Sequence, residues 1–169
     1  MSIIDHTFFQ KGQLKLPIDN ITDWQFFIDK HEPEILNEIL GYELARDFQS
    51  ALAGTPDQKW VDLRDGGEYT DGNDYLQKYE GIYYIIADYV YFNIISDKQN
   101  YATDSGVKRG LTDNSEIANP KYKQVWAWAD MKVRINSMDE FINYTNDLVS
   151  DTYANYNPKD IGLTNVLNI

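Results

Sequence analysis

The stretch YYIIADYVYFNII, Tyr83 to Ile95, constrains this chain more than any other. All but two of its thirteen positions are apolar or aromatic. The exceptions, Asp88 and Asn93, sit about 140° apart around a helix axis and make no single wet face. A helix apolar on every side belongs in a core or against a partner. Each of its tyrosines brings a large contact area and a hydroxyl that needs a hydrogen-bond partner, a combination enriched where proteins meet. The run is too short and too interrupted to span a bilayer.

The rest of the chain narrows the choice. At 169 residues it is one domain, with room for arms, long enough to bury a sizeable core. Thirteen Tyr and four Trp argue against disorder. Without cysteine there is no disulfide framework, thiolate metal site or cysteine nucleophile, which fits a reducing compartment. The opening MSIIDHTFFQKG has no basic region followed by a long apolar run, so no secretory signal is read. The net charge is −12, of which residues 1–80 carry −9 and residues 81–169 carry −3. Such a chain lacks the electrostatic footprint of a protein that grips a phosphate backbone. Its one small basic cluster, Lys108-Arg109, falls in a loop. The acidity serves solubility, or a surface that stays near nucleic acid without sticking to it.

Along the chain, the pattern is mainly α. Residues 1–20 read as an N-terminal arm. Asn20 or Thr22 caps a first helix carrying Trp24, Phe27 and Ile28. Pro33 predicts a break near His31 and the start of a second helix with Ile35, Leu36, Ile39 and Leu40 on its apolar face. Gly41 reads as a stop or kink, and Leu44, Ala45, Phe48 and Leu52 continue at helical spacing to Ala53. Residues 57–80 change character, and TDGND predicts a small β-hairpin or structured loop near residues 66–77. A long central helix then runs from Gly81 to about Asn100. Residues 101–119 make a long polar connection. Asn119 and Pro120 open a last helix that reaches about Tyr153, with Tyr122, Val125, Trp126, Ala129, Val133, Met138, Phe141, Ile142, Leu148 and Val149 on its apolar side. The expected organisation is an arm (1–20), a helical domain (21–154) and a C-terminal arm (155–169) with a sparse apolar ending.

Catalytic signatures are missing. His6 and His31 stand alone and read as surface residues. HEPE at 31–34 lacks the second histidine of a zinc helix, and there is neither a phosphate-binding glycine loop nor a nucleophile elbow. Asp71 and Asn73 begin like a calcium loop, but Tyr75 and Leu76 break the pattern, so a turn is expected. Trp60, Trp126 and Trp128 could stack on sugars, although core roles are commoner. No metal, no cofactor and no enzymatic activity are expected.

The order of features has a likeness. The helix pair EPEILNEILGYELARDFQSAL precedes the acidic DLRDGGEY and KYEGI. The tyrosine-rich GIYYIIADYVYFNIISD runs into YATDSGV, and the Trp-bearing YKQVWAWADMKVRINSMDEFI closes the pattern. Over about residues 20–145 this resembles the head–tail connector (adaptor) proteins of tailed bacteriophages, particularly the ring proteins of crAss-like phages. The resemblance lies in order and pattern, not in an invariant motif. It implies a helical protomer in a closed ring, usually twelvefold, between the portal protein and another connector or tail protein. The ring would sit at the head–tail junction of a virion made in the host bacterial cytoplasm. DNA would pass through its channel without specific binding, and no membrane is involved.

On that footing, Tyr84, Tyr91, Tyr101 and Val107 are candidate subunit contacts. Asp62, Asp65, Glu68, Asp71 and Asp74 are candidate channel-facing acids, because an acidic lumen avoids tight phosphate contacts. Ile161, Leu163, Val166, Leu167 and Ile169 are a candidate portal-docking arm. The competing readings are a carbohydrate-binding or carbohydrate-cleaving domain and a small helical regulator.

Overall fold

Helix α1 (Ile21–Leu40) continues unbroken through Pro33. The break expected near His31 does not occur, and packing explains why. Trp24 and Ile28 before the proline, and Ile35, Leu36, Ile39 and Leu40 after it, are all buried on one stripe. An interior proline costs about 3 kcal/mol or more. Burying one such side chain contributes roughly 1.5–3 kcal/mol, so six of them outweigh it. His31 is not a surface residue. It is 6% exposed, stacked on Phe27 and set edge-on to Tyr89.

The computed structural model describes residues 2–10, 14, 21–99, 101–103, 106–108 and 120–159. It is mainly helical, as the sequence pattern predicts. A 3-10 turn (His6–Gln10) precedes α1. Although residues 1–20 read as an arm, Ile4 and Phe9 are buried in the core. Their placement rests on Glu32 of α1, whose carboxylate accepts the backbone N–H groups of Ile3 and Ile4 at 2.9–3.3 Å. Burial pushes the Glu32 carboxyl above its ordinary range, against the pull of those N–H donors.

Gly41 ends α1, with φ of 80°. Helix α2 (Tyr42–Leu52) follows and buries Leu44, Ala45 and Phe48. A short helix α3 (Gln58–Asp65), which the sequence reading does not anticipate, buries Trp60 and Leu63. The predicted hairpin is present, with β1 (Gly67–Thr70) antiparallel to β2 (Leu76–Tyr79) and Gly67 opposite Tyr79. Central helix α4 (Ile82–Gln99) leads to a second hairpin, β3 (Tyr101–Thr103) with β4 (Gly106–Lys108), inside the segment read as a polar connection. Helix α5 (Pro120–Leu148) ends before Tyr153, which lies in the turns that follow.

Helix α4 packs against α1, α3 and α5. It runs antiparallel to α5: Phe92 meets Trp128 at 5.0 Å, and Asp88 meets Arg134. The all-round apolar run is thereby covered within one chain. Ile82, Ile85, Ile86, Ala87, Val90, Tyr91 and Ile94 are buried. Tyr83, Tyr84, Tyr89 and Asn93 are half-buried.

Past α5 the chain folds back. The Tyr156 hydroxyl donates to Asp139 of α5, the Asn157 N–H donates to the Leu40 carbonyl, and the Lys159 N–H donates to the Glu38 carbonyl. A Cβ on Gly41 would lie 2.5 Å from the Asn157 carbonyl oxygen. Gly41 is therefore both the turn between α1 and α2 and the seat of this C-terminal strap.

Candidate functional site

The sequence-derived contact residues have different fates. Tyr91 is 1% exposed, enclosed by its own chain, and is withdrawn as a subunit contact. Tyr84 is half-buried between Phe8 at 5.6 Å, Tyr83 at 4.4 Å and the Arg134 guanidinium at 5.2 Å from its ring. Tyr101 and Val107 belong to β3 and β4, with Tyr101 opposite Lys108 and Val107 opposite Ala102. Their side chains lie outside the described residues. So do Ile161, Leu163, Val166, Leu167 and Ile169 of the C-terminal arm. The chain is tied to the helical body up to Lys159, whose ammonium also pairs with Glu38 at 2.8 Å.

The acidic residues fall into two groups. Asp62 and Asp65 lie on α3. Asp62 accepts from the Gln58 amide, and Asp65 holds Arg64, which lowers its pKa. Glu68, Asp71 and Asp74 lie on the first hairpin, where Glu68 and Asp74 are exposed. Asp71 shapes the turn. Its carboxylate accepts the N–H groups of Asn73 and Tyr75 and the Gln77 amide, and those donors hold its pKa down. Asp74 takes a φ of 63°, the left-handed geometry that aspartate tolerates in turns. The residues that begin like a calcium loop thus form a turn. Among the described residues no cluster of three or more His, Asp or Glu is placed to hold a metal ion. None of the described helices is long and apolar enough to cross a membrane.

A polar cluster ties α4 to α5. Arg134 donates to the buried Asp88 and, at 3.0 Å, to Glu80, while its guanidinium lies over the Tyr84 ring. Burial pushes the Asp88 carboxyl up to about 7, with Arg134 pulling the other way.

The largest departure from the sequence reading lies on α5. Only Met138, Phe141 and Ile142 of its expected apolar side are buried. Tyr122, Val125, Trp126, Ala129, Val133, Leu148 and Val149 face outward. In the N-terminal half the core instead takes Gln124, Ala127 and Met131, nearly opposite on the helix. Two apolar stripes half a turn apart therefore occupy one helix. The second was visible in the spacing of Ala127, Met131, Met138 and Ile142, but nothing local says which one meets α4.

The outward stripe is continuous. Tyr122, Trp126, Ala129 and Val133 share one face with Glu140 and Tyr144, all within about 60° of arc. The hairpin partly covers the C-terminal portion of that face: the buried Tyr69 donates to Glu140 at 2.8 Å and its ring lies 6.4 Å from that of Tyr144. Among the described residues nothing covers the N-terminal portion, where Tyr122 is 75%, Trp126 49% and Val133 69% exposed.

Of the other sugar-stacking candidates, Trp60 is buried and Trp128 half-buried. Trp60 sits between Phe48 and Tyr153 under the Lys59 ammonium, and Trp128 lies against Phe92. Comparison of the chain with protein-family models, with curated proteins and with solved structures finds no match.

Proposed function

We propose that this chain is a structural subunit of a phage virion, a head–tail connector that forms a ring between portal and tail and extends the DNA channel. One observation carries the reading: a well-packed, strongly acidic helical protomer leaves the aromatic face Tyr122–Val133 of α5 uncovered. An exposed aliphatic and aromatic stripe of this kind marks a surface made for another macromolecule. The acidic surface suits a channel wall past which DNA slides, and Glu68 and Asp74 are its most exposed candidates on the hairpin. The strap holds the chain at the α1–α2 corner as far as Lys159, and the apolar residues after it are the proposed portal-docking arm. No catalytic step is assigned.

The test is native mass by light scattering after size exclusion, alone and with a purified portal ring, with negative-stain imaging of the peak. Annular particles of about a dozen copies, or a chain that closes on the portal, are the expected result. A chain that stays monomeric and ignores the portal would sink the reading.

A further inference from the structure

We infer that Asp71-Gly72, in the turn of the β1–β2 hairpin, is a modification site at which the folded chain converts spontaneously from aspartate to isoaspartate. The inference goes beyond the connector reading and does not depend on it.

An aspartate followed by glycine is open to this reaction because glycine has no side chain to shield its backbone nitrogen. The Gly72 nitrogen forms a bond to Cγ of the protonated Asp71 carboxyl. Its hydrogen and the carboxyl hydroxyl leave together as water, and a five-membered succinimide ring results. Water then adds back at one of the two ring carbonyls. Opening at the side-chain carbonyl restores aspartate. Opening at the main-chain carbonyl leaves the backbone running through the Asp71 side chain, one methylene longer. Water is the sole co-reactant.

The chain holds two Asp-Gly pairs, and the structure separates them. Asp65-Gly66 closes α3 and is locked. The Gly66 N–H donates to the Asp62 carbonyl at 2.8 Å, so the attacking nitrogen is engaged. Arg64 holds both Asp65 oxygens at 2.7 Å. A Cβ on Gly66 would lie 2.2 Å from the Tyr79 carbonyl oxygen, so this peptide is pressed against the end of β2.

Asp71-Gly72 is open by comparison. Gly72 is exposed, and a Cβ there would meet nothing within 4 Å. The restraint falls on the acid instead. One Asp71 oxygen accepts the N–H groups of Asn73 and Tyr75, and the other accepts the Gln77 amide, at 2.9–3.0 Å. These donors favour the ionised carboxylate, which does not react, and they slow the closure. They lie in an exposed turn, however, where local opening is easy. Gln77 is the one donor of the three that acts through a side chain, so it can be removed with the backbone left intact. The added methylene would fall beside the Thr70–Leu76 pair at the end of the hairpin ladder. Aged chains would then carry a longer turn than new ones.

The test ages the full-length chain at neutral pH, folded and in urea, and maps its peptides by mass spectrometry. Enzymatic methylation of isoaspartyl carboxylates counts the product. In urea the two pairs should convert at similar rates. In the folded chain Asp71 should convert about tenfold faster than Asp65 or more. Gln77→Ala should speed conversion at Asp71 about threefold and leave Asp65 unchanged, as loss of one exposed hydrogen bond does. Equal rates at the two pairs in the folded chain, or faster conversion at Asp65, would overturn the inference. So would a folded chain that keeps Asp71 intact over the time in which the chain in urea converts.

Discussion

Helices α4 and α5 are both long, both apolar on more than one side, and they meet opposite ends. Helix α4 is enclosed by α1, α3 and α5, so that even Asp88 is buried. In the same stretch of the pair, α5 has α4 on one side and an aromatic stripe pointing to solvent on the other. An all-round apolar pattern thus does not separate a core helix from an interface helix. What separates them is how many neighbours the topology supplies. A helix in the middle of the layer order uses every side, and one at the margin leaves a side over.

The contrast can be broken first where the two helices are tied. Above pH 7, where Asp88 is ionised in the folded chain, Arg134→Ala leaves its carboxylate buried without a partner and should cost about 3–5 kcal/mol in denaturant unfolding. A loss below about 1 kcal/mol would mean that Asp88 is not enclosed as described. The next test compares the two faces of α5. Met131→Ala on the α4 side should cost about 2–5 kcal/mol.

Acid titration sharpens the difference between enclosed and open carboxylates. Asp88, pushed up to about 7, keeps a proton in the folded chain that the unfolded chain has already lost above its ordinary range. Its contribution to stability therefore falls as pH rises from about 4 to about 7, by no more than about 1.4 kcal/mol per pH unit. Asp88→Asn should remove that slope from the unfolding free energy measured across pH 4–7. A variant that tracks the unaltered chain at every pH would show that Arg134 keeps Asp88 ionised throughout. The smallest effect belongs to Trp126→Ala, which should leave monomer stability within about 0.5 kcal/mol despite removing a tryptophan. A cost like that of Met131→Ala would place Trp126 in the core.

The sequence made some of this legible because the controlling forces were local. The hairpin is announced by Asp71-Gly72, and Asp71 holds the turn through three accepted hydrogen bonds within six residues of itself. Gly41 marks a true helix boundary because its φ of 80° is a local demand. Pro33 misleads because a local penalty is overruled by burial on both sides of it. Helix α3 hides because eight residues with four charges give too little periodicity to read. The candidate site was half legible: its residues are conspicuous, but their outward direction depends on which stripe meets α4. That choice belongs to tertiary packing, as does the burial of Tyr91.

The strap over Gly41 has a consequence in time. Lys159 and Glu38 are 121 positions apart, so the α1–α2 corner cannot be latched until the ribosome has made all that lies between. At translation speeds of about 5–20 residues per second, the corner waits roughly ten seconds for its latch. Through that interval the Leu40 and Glu38 carbonyls lack the N–H donors of Asn157 and Lys159 that satisfy them in the finished chain.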